Sequence, residues 1–346
     1  MTKKIPMICL VIIMSVFTGC SKDNPVETVA STDLKAEKEF FSMDTYITLT
    51  AYGDNANDAV DMAEKSILDL NNLLSTGIPS SEVASVNNAG GGNLSYDSSY
   101  LLQKSIELNE LTNGLFDITI YPLMELWGFT DKDFYVPSDD EINNILPFVS
   151  SQYIEYDKEN QSVAFTKDNV KIDFGGIAKG YTSSEIIKIF KDCDVNCGIV
   201  NLGGNVQTYG KKPDGKSWKV GIQNPDKTKD YIGILQTNDK AVISSGDYER
   251  FFIQDDIKYH HILDPFTGKP SNSDIQSVTV ISDDGTYADG LSTSLFLMGK
   301  DGAIDFWNKH KNLFDMIVFT KDEKIYITEG IEKVFSSSDY KIEVIH

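Results

Sequence analysis

Arginine is almost missing from this chain. Of the 31 basic residues only Arg250 is an arginine, and 52 acidic residues bring the formal net charge to −21. Proteins that bind nucleic acid cluster lysine and arginine against the phosphates, so this charge argues against a nucleic-acid partner. It also argues against broad contact with anionic lipid head groups. The segment around Arg250 is therefore of special interest for function.

Cysteine, histidine and long apolar runs are also scarce. Four cysteines and four histidines form no pattern that is typical of zinc ligands. The apolar run at 5–17 has 13 residues, whereas a membrane-spanning helix needs about 20. Hydrophobic residues nevertheless make up 41% of the chain, which is enough for a full core and excludes general disorder. The length allows about two domains or one large domain.

The N-terminus predicts an export signal with a lipid attachment site. Two lysines precede the apolar run, as in a signal peptide, and the run ends in 17–20 (FTGC), which resembles a bacterial lipobox. On this interpretation residues 1–19 are removed and Cys20 is lipidated; an ordinary secretory signal with a chance cysteine is the alternative. The polar segment 20–36 is predicted to be a flexible tether. The protein would then be extracytoplasmic and anchored to a bacterial membrane by its lipid.

Residue periodicity predicts helices first and mainly strands from Tyr153 onward. The expected helices are 55–74, 100–112 with Ser98 and Ser99 as possible caps, 137–145, 179–191, 287–298 and 303–309. The expected strands are 45–52, 153–156, 162–166, 170–174, 198–201, 218–223, 233–236, 241–245, 250–254, 259–263, 277–282, 316–320 and 324–328. This order, with few parallel crossovers, predicts an α+β fold of mixed or antiparallel sheets flanked by helices.

Cys193 and Cys197 are the two cysteines of the predicted folded body. Their spacing of four residues fits a local disulfide in an oxidising compartment, and it fits two half-buried thiols equally well. Neither cysteine is assigned a catalytic role.

Glycine-rich loops at predicted strand ends are the candidates for binding and chemistry. In 173–180 (DFGGIAKG) a strand delivers Asp173, and a helix begins at Lys179. Free N–H groups and a lysine at a helix start suit a phosphate, although a tight turn into a helix explains the segment as well. Two further loops are 201–205 (NLGGN) and 244–250 (SSGDYER), which contains the arginine.

A fourth loop, 260–268 (HHILDPFTG), contains two histidines. A histidine here is a candidate for acid–base chemistry or substrate contact, but an isolated histidine more often has a structural role.

The segment 288–293 (ADGLST) could hold a cation. Asp289 and Thr293 are four residues apart, so a helix places the carboxylate and the hydroxyl on one face. Oxygen ligands of this kind suit Mg²⁺, completed by phosphates and waters. The alternative is that Asp289 stabilises the dipole of its own helix while Thr293 bonds a carbonyl.

These motifs, in their order, resemble those of the ApbE family, the FAD:protein FMN transferases, from about Phe41 to Asp322. The matching segments are Met43-Asp44-Thr45, SEVASVN at 81–87, GLFD at 114–117, LWGF at 126–129, DFGGIAKGY, NLGGN, GIQNP, SSGDYERFF, HILDPFTG and ADGLST. The resemblance implies one catalytic domain over 37–346 with the T-fold-related ApbE architecture. It also implies transfer of FMN from FAD to a threonine or serine hydroxyl of an extracytoplasmic acceptor protein, with Mg²⁺ as cofactor and AMP as leaving group.

Site residues follow from motif position. The implied metal ligands are Asp289, Thr293 and the main-chain carbonyl of Gly176, with Ala178 as the alternative carbonyl. His261 is the candidate to contact the reacting phosphate or accept the hydroxyl proton, so His261 and Asp289 are the expected catalytic residues. The implied FAD contacts are Met43, Phe116, Asp117, Ile118, Asp173, Lys179, Asp247 and Ile262.

Two positions depart from the family pattern. Asp44 stands where glycine usually follows the methionine, and Gly77 stands where many members have an aromatic residue. Both changes put the pose or affinity of the flavin in question. An FAD pyrophosphatase that releases AMP and FMN to water, and a non-catalytic flavin-binding lipoprotein, are alternative functions.

Overall fold

The computed structural model describes residues 34–225 and 227–346. The predicted signal peptide, Cys20 and the predicted tether up to residue 33 lie outside these residues. Within the described part, no helix is both long and apolar enough to cross a membrane.

Seven α-helices form in the described residues: α1 Ala56–Leu74, α2 Glu82–Ala89, α3 Tyr96–Leu111, α4 Tyr121–Leu126, α5 Asp139–Ile145, α6 Ala178–Asp192 and α7 Gly285–Lys309. The strands in the same residues are β1 Lys35–Ser42, β2 Thr45–Tyr52, β3 Gly91–Asn93, β4 Ile154–Asp157, β5 Ser162–Phe165, β6 Cys197–Leu202, β7 Asn205–Tyr209, β8 Trp218–Asn224, β9 Lys227–Thr237, β10 Ala241–Gly246, β11 Phe251–Gln254, β12 Ile257–His260, β13 Ile275–Ser282, β14 Asp315–Thr320, β15 Ile325–Thr328, β16 Phe335–Ser336 and β17 Ile342–Ile345.

A nine-stranded sheet is the centre of the fold, in the order β1-β2-β6-β7-β10-β13-β14-β15-β17. Its neighbouring strands are antiparallel except β15 and β17, which are parallel. Three smaller sheets are β16-β9-β8, β3-β5-β4 and the hairpin β11-β12. This arrangement confirms the predicted α+β fold.

Alternating side chains of the central sheet serve two separate cores. On β14, Met316 and Val318 pack with residues of α3, α6 and α7, whereas Ile317 and Phe319 pack with the β16-β9-β8 sheet. Each such buried side chain stabilises the fold by about 1.5–3 kcal/mol. The central sheet is therefore enclosed between a helical layer and a second sheet. Buried side chains of α1 pack against β1, β2 and β6 at one end of the central sheet.

One predicted strand, 170–174, is wrong. The segment forms no regular secondary structure and joins no sheet. The Asn87 side chain takes the place of a neighbouring strand, because its amide accepts from Ile172 N and donates to Ile172 O, both at 2.8 Å. Asp173 N then donates to Ile118 O at 2.8 Å. These bonds hold the chain that leads into the DFGG loop.

Several predicted boundaries also change. Helix α3 begins four residues earlier than expected, and its N-cap is Ser95, not Ser98 or Ser99, which are buried within the helix. Helix α7 spans both predicted C-terminal helices and has a non-helical Gly299 between them, with φ of 72°. Strand β12 ends at His260, before the expected 263. The first strand starts at Lys35, inside the segment that was expected to be tether.

Cys193 and Cys197 are free thiols. Cys197 is buried in β6, and Cys193 is the residue that ends α6, where its sulfur lies 3.8 Å from Met62 Sδ. Burial raises the pKa of both thiols. The structure thus favours two free thiols, Cys197 buried and Cys193 half-buried, over a local disulfide.

Candidate active site

A cavity of about 600 Å³ collects nearly all of the residues that the motifs single out. Such a volume is typical of cofactor sites, which occupy about 300–1,000 Å³. Its lining includes Met43, Phe116, Asp117, Ile118, Asp173, Gly176, Ala178, Lys179, Arg250, His261, Ile262, Asp289 and Thr293. Asp247 is not among the lining residues; its carboxylate accepts a hydrogen bond from Lys258 Nζ at 2.8 Å, while the next three residues do reach the cavity.

Met43 reaches the cavity from the tight turn between β1 and β2. Met43 and Asp44 have φ of 51° and 56°, the left-handed values that a two-residue hairpin turn requires. Glycine suits such a position best and aspartate tolerates it, so Asp44 is compatible with the turn. The turn is held to α1, since Met43 N donates to Asn71 Oδ1 at 3.2 Å. Asp44 consequently brings a negative charge to the cavity wall.

Asp117 has a structural task at the cavity edge. Its Oδ1 accepts from Thr119 N at 2.8 Å and from the Ser151 hydroxyl at 2.9 Å, and its Oδ2 accepts from Ser151 N at 3.0 Å. The preceding Phe116 is buried and packs against Gly176, where a Cβ would lie 3.2 Å from the ring. These contacts fix the loop that follows α3 against the DFGG loop.

Asp289 lies at the N-terminus of α6, not at the start of its own helix. Its Oδ2 accepts from Gly180 N at 2.8 Å, and the backbone N–H of Lys179 also stabilises the carboxylate. The N-cap of α7 is Asp284 instead. The carboxylate therefore stabilises the N-terminus of α6 and not that of its own helix. Burial raises the pKa of Asp289, and the Lys179 charge opposes that shift.

The carbonyls of the DFGG loop differ in what they bind. Because Gly180 N donates to Asp289, the Gly176 carbonyl four residues earlier receives no hydrogen bond from the described residues. The Ala178 carbonyl, by contrast, accepts from Thr182 Oγ1 at 2.8 Å. Of the two, Gly176 has the carbonyl that is free to take a ligand.

Thr293 and Asp289 line the same cavity, as their helical spacing predicts. The Thr293 hydroxyl lies 3.4 Å from Ser245 Oγ, which in turn lies 2.7 Å from Ser292 Oγ. No carbonyl among the described residues accepts from Thr293, in contrast to Ser292, which donates to Asp289 O at 2.7 Å. The Thr293 hydroxyl is thus available to the cavity. Ser245 stands inside the SSGDYER segment, but the sequence assigns it no role.

His261 is positioned by the chain on both sides of the β11–β12 hairpin. Arg250 immediately precedes β11, His261 immediately follows β12, and His261 N donates to Arg250 O at 3.0 Å. The ring nitrogen Nδ1 lies 3.2 Å from the same carbonyl, which favours the tautomer with the proton on Nδ1. Burial, then the charges of Arg250 and Lys179, hold the pKa of His261 well below its usual value. A neutral ring with Nε2 as acceptor results.

Two cations face the cavity without a carboxylate partner. Neither Lys179 nor Arg250 makes an ion pair within 4.0 Å to any described residue. Both lower the pKa of Asp173, which burial raises. Glu249 lies open to the cavity, yet the walls around it remove bulk water and raise its pKa to about 7. The sequence had given no role to Glu249, although it stands inside the SSGDYER motif.

Comparison with known proteins identifies the family. The family model described as ApbE family matches residues 43–318. The FAD:protein FMN transferase of Klebsiella pneumoniae strain 342 is 31% identical over 277 residues, or 79% of this chain and 85% of that protein. The one from Haemophilus influenzae is 28% identical over 283 residues, covering 79% and 81%.

Solved structures give the same result. The ApbE protein of Thermotoga maritima has a TM-score of 0.81 and 32% identity, over 86% of this chain and 98% of that chain. The flavin transferase ApbE of Vibrio cholerae shares the fold, with a TM-score of 0.78 and 24% identity over 87% and 99%. The chain therefore belongs to the ApbE family of flavin-transferring enzymes.

Proposed function

We propose that this protein transfers FMN from FAD to a threonine or serine hydroxyl of an acceptor protein, with Mg²⁺ as cofactor and AMP as leaving group. One observation carries the proposal: a neutral histidine, two unpaired cations and the Asp289–Thr293 pair line a single cavity. A general base, an anion site and oxygen ligands for a cation are what phosphoryl transfer needs.

The reaction replaces one bond to phosphorus by another. The acceptor hydroxyl oxygen bonds to the phosphorus of the FMN half of FAD, and the bond from that phosphorus to the bridging oxygen breaks. AMP leaves with the bridging oxygen and the electrons of the broken bond. The hydroxyl proton passes to His261 Nε2 and then to solvent. The Arg250 carbonyl supports this role, since it holds Nδ1 and leaves Nε2 with its lone pair.

Lys179 and Arg250 bind the pyrophosphate in this proposal. Both line the cavity without an internal carboxylate partner among the described residues. A lysine acts on phosphate as a point charge, while an arginine offers a planar pair of donors. They offset Asp44 and Asp173, two carboxyl groups of the same cavity.

The donor set fits a hard cation. Asp289 is buried without an ion pair, Thr293 has an available hydroxyl, and the Gly176 carbonyl is free. The described residues contain no cluster of three or more His, Cys, Asp or Glu side chains for a metal, so substrate phosphates and waters must complete the shell, as they commonly do for Mg²⁺. Bound there, Mg²⁺ would offset charge on the phosphate oxygens.

The FAD contacts proposed are the cavity residues Met43, Phe116, Asp117, Ile118, Asp173, Lys179 and Ile262. Asp247 acts indirectly, since its carboxylate is bonded to Lys258. Gly77 lines the cavity without a ring, but Phe129 and Tyr248 are aromatic lining residues elsewhere. They are the candidates to replace the missing aromatic contact to the flavin.

We also propose an extracytoplasmic location, with the protein anchored to a bacterial membrane by a lipid on Cys20. The support is the basic and apolar N-terminus and its FTGC ending. Mass spectrometry of the membrane-bound protein tests this: an N-terminal lipidated Cys20 is expected, and an unmodified N-terminus that includes residues 1–19 would refute it.

The function is tested with the chain from Ser21 onward, mixed with FAD, Mg²⁺ and a candidate acceptor. We expect AMP in equal amount to FMN attached to the acceptor, measured by chromatography and intact mass. His261→Gln should lose the activity, whereas His310→Gln, which changes a histidine outside the cavity lining, should retain it. FAD retained without AMP would refute the proposal in favour of flavin binding. AMP with an unmodified genuine acceptor would instead indicate a pyrophosphatase.

A further inference from the structure

The β11–β12 hairpin projects beside the catalytic cavity. Its two strands pair with each other and with no other strand of the described residues. Asp255 and Asp256 close it with φ of 51° and 60°, the left-handed values of a two-residue hairpin turn. All six residues from 253 to 258, the hairpin tip, are exposed. The strand edges at the tip are therefore accessible to another chain.

Aromatic stacking makes the base of the hairpin firm. Phe252 stacks on Phe134 and on Tyr259, with ring centroids 5.0 and 5.3 Å apart, and Tyr259 lies 5.6 Å from the Trp127 ring. An isolated two-stranded hairpin is only marginally stable, so the aromatic packing at its base is what stabilises this hairpin. The tip takes no part in this stacking, and it contacts the body through the bond from Lys258 Nζ to Asp247 Oδ1 at 2.8 Å.

The tip presents apolar side chains to solvent. Ile253 and Ile257 are 64% and 54% exposed, and Phe251 next to the tip is 41% exposed. The strand register places Ile253 and Ile257 on opposite faces of the hairpin, since Ile253 lies opposite Lys258 and Ile257 lies opposite Gln254. Isoleucine side chains this exposed at the end of a projecting hairpin gain nothing from the fold itself. They suit a surface that is covered when a partner binds.

The position of the tip indicates which partner. The hairpin ends directly in Arg250 and His261, whose contacts to each other fix the catalytic ring. Anything bound at the tip therefore lies about four residues of extended chain, or roughly 14 Å, from the histidine. In a reaction that modifies a protein hydroxyl, the chain that carries this hydroxyl must reach His261, and the tip lies within that distance of His261.

Charge limits the partner further. Asp255 and Asp256 form the turn of the tip, and the whole chain carries a net charge of −21. Acidic segments and anionic lipid surfaces are disfavoured beside two carboxylates. A basic residue in the bound segment is favoured.

We propose that the hairpin tip is the docking surface for the acceptor protein, a proposal that rests on the function proposed above. It binds an extended segment with apolar residues about four positions from the modified hydroxyl and a basic residue opposite Asp255 and Asp256. An extended segment can also pair with a free strand edge of the hairpin, as in other cases of strand addition.

A pool of synthetic peptides tests the proposal. Each peptide has about 20 residues, a central threonine and random residues elsewhere, long enough to cover the hairpin at about 3.4 Å per residue. With FAD and Mg²⁺, the unaltered protein should modify peptides enriched in apolar residues about four positions from the threonine. I253S/I257S should lower transfer at limiting peptide about tenfold or more, with unchanged FAD affinity and unchanged kcat at saturating peptide.

Two control variants complete the design. I253L/I257L should restore transfer, because it keeps the apolar surface. Ile234→Ser replaces an isoleucine on β9 that is 40% exposed and lies outside the cavity lining, and it should leave transfer unchanged.

Several results would overturn the docking proposal. Equal transfer by I253S/I257S, modified peptides with no apolar preference, or AMP release by the unaltered protein without modified peptides would each do so. So would a dimer that I253S/I257S dissolves while transfer stays the same, or vesicle binding that depends on the two isoleucines. If the unaltered protein yields neither AMP nor modified peptide, the proposed function itself is refuted.

Discussion

Replacement of Gly180 by alanine should separate the two helices that form the proposed cation site. A Cβ at this position would lie 2.7 Å from Asp289 Cβ and 2.8 Å from the Gly285 carbonyl carbon, with the Gly285 oxygen closer still. Ordinary contacts to a Cβ are 3.4–4 Å, whereas the Gly285 oxygen would lie at 2.1 Å, so α6 and α7 must move apart by about 1.3 Å to restore an ordinary contact. Neither neighbour is the end of a flexible side chain.

The expected net loss of stability is about 2 kcal/mol, because the clash with the Gly285 backbone places the overpacking cost at the upper end of its usual range. Overpacking of a close contact costs about 1–3 kcal/mol and sometimes more, and alanine regains up to about 1 kcal/mol through its better helix propensity. Urea unfolding followed by circular dichroism gives the free energy of unfolding. The matched control is Gly92→Ala in β3, where the nearest atom outside the chain neighbours is 3.5 Å away; its stability should change by less than about 0.5 kcal/mol.

Activity should fall further than stability. The shift would move Asp289 relative to the DFGG loop, and a displacement of about 1 Å can cost about 100-fold in rate. FMN transfer is measured at a temperature where circular dichroism shows the variant folded. A Gly180→Ala protein with unaltered unfolding free energy and unaltered transfer would refute the argument that the helix contact sets the site.

Three further predictions concern single carboxylates. Asp289→Ala should abolish Mg²⁺-dependent turnover because it removes the carboxylate ligand, and near-normal activity would exclude Asp289 as a ligand. Asp44→Gly should stabilise the fold by up to about 1 kcal/mol, because glycine suits its φ of 56°, and should lower the Kd for FAD in a fluorescence titration; weaker FAD binding would contradict this. Burial opposes ionisation of Glu107, but hydrogen bonds from Lys104, Tyr287 and Gln103 hold its pKa at about 2. The ionised Glu107 carboxylate therefore stabilises the fold fully above about pH 4.5, and this stabilisation is lost as the pH falls toward 2. Glu107→Gln should consequently reduce the dependence of Tm on acidic pH. An unchanged dependence would refute the assignment.

The sequence predicts the α+β fold because strands and amphipathic helices repeat with clear periods. The strand prediction fails at 170–174, where the residue types suit a strand but the Asn87 side chain supplies the hydrogen bonds. No local pattern reveals such a bond, because its partners are 85 residues apart. The start of α3 was misplaced for a simpler reason, since Ser95, Ser98 and Ser99 all suit an N-cap and only the backbone selects Ser95.

The sequence by itself singled out most of the residues that line the cavity. The spacing of Asp289 and Thr293 places both on one helical face, and the ordered motifs mark His261 and Lys179. Only the tertiary structure decided what these groups do for one another. It places Asp289 at the start of α6, directs His261 Nδ1 to the Arg250 carbonyl, and turns Asp247 away to Lys258. The physical reason is that burial and contacts between distant segments set hydrogen-bond partners and pKa values, and spacing along the chain does not record them.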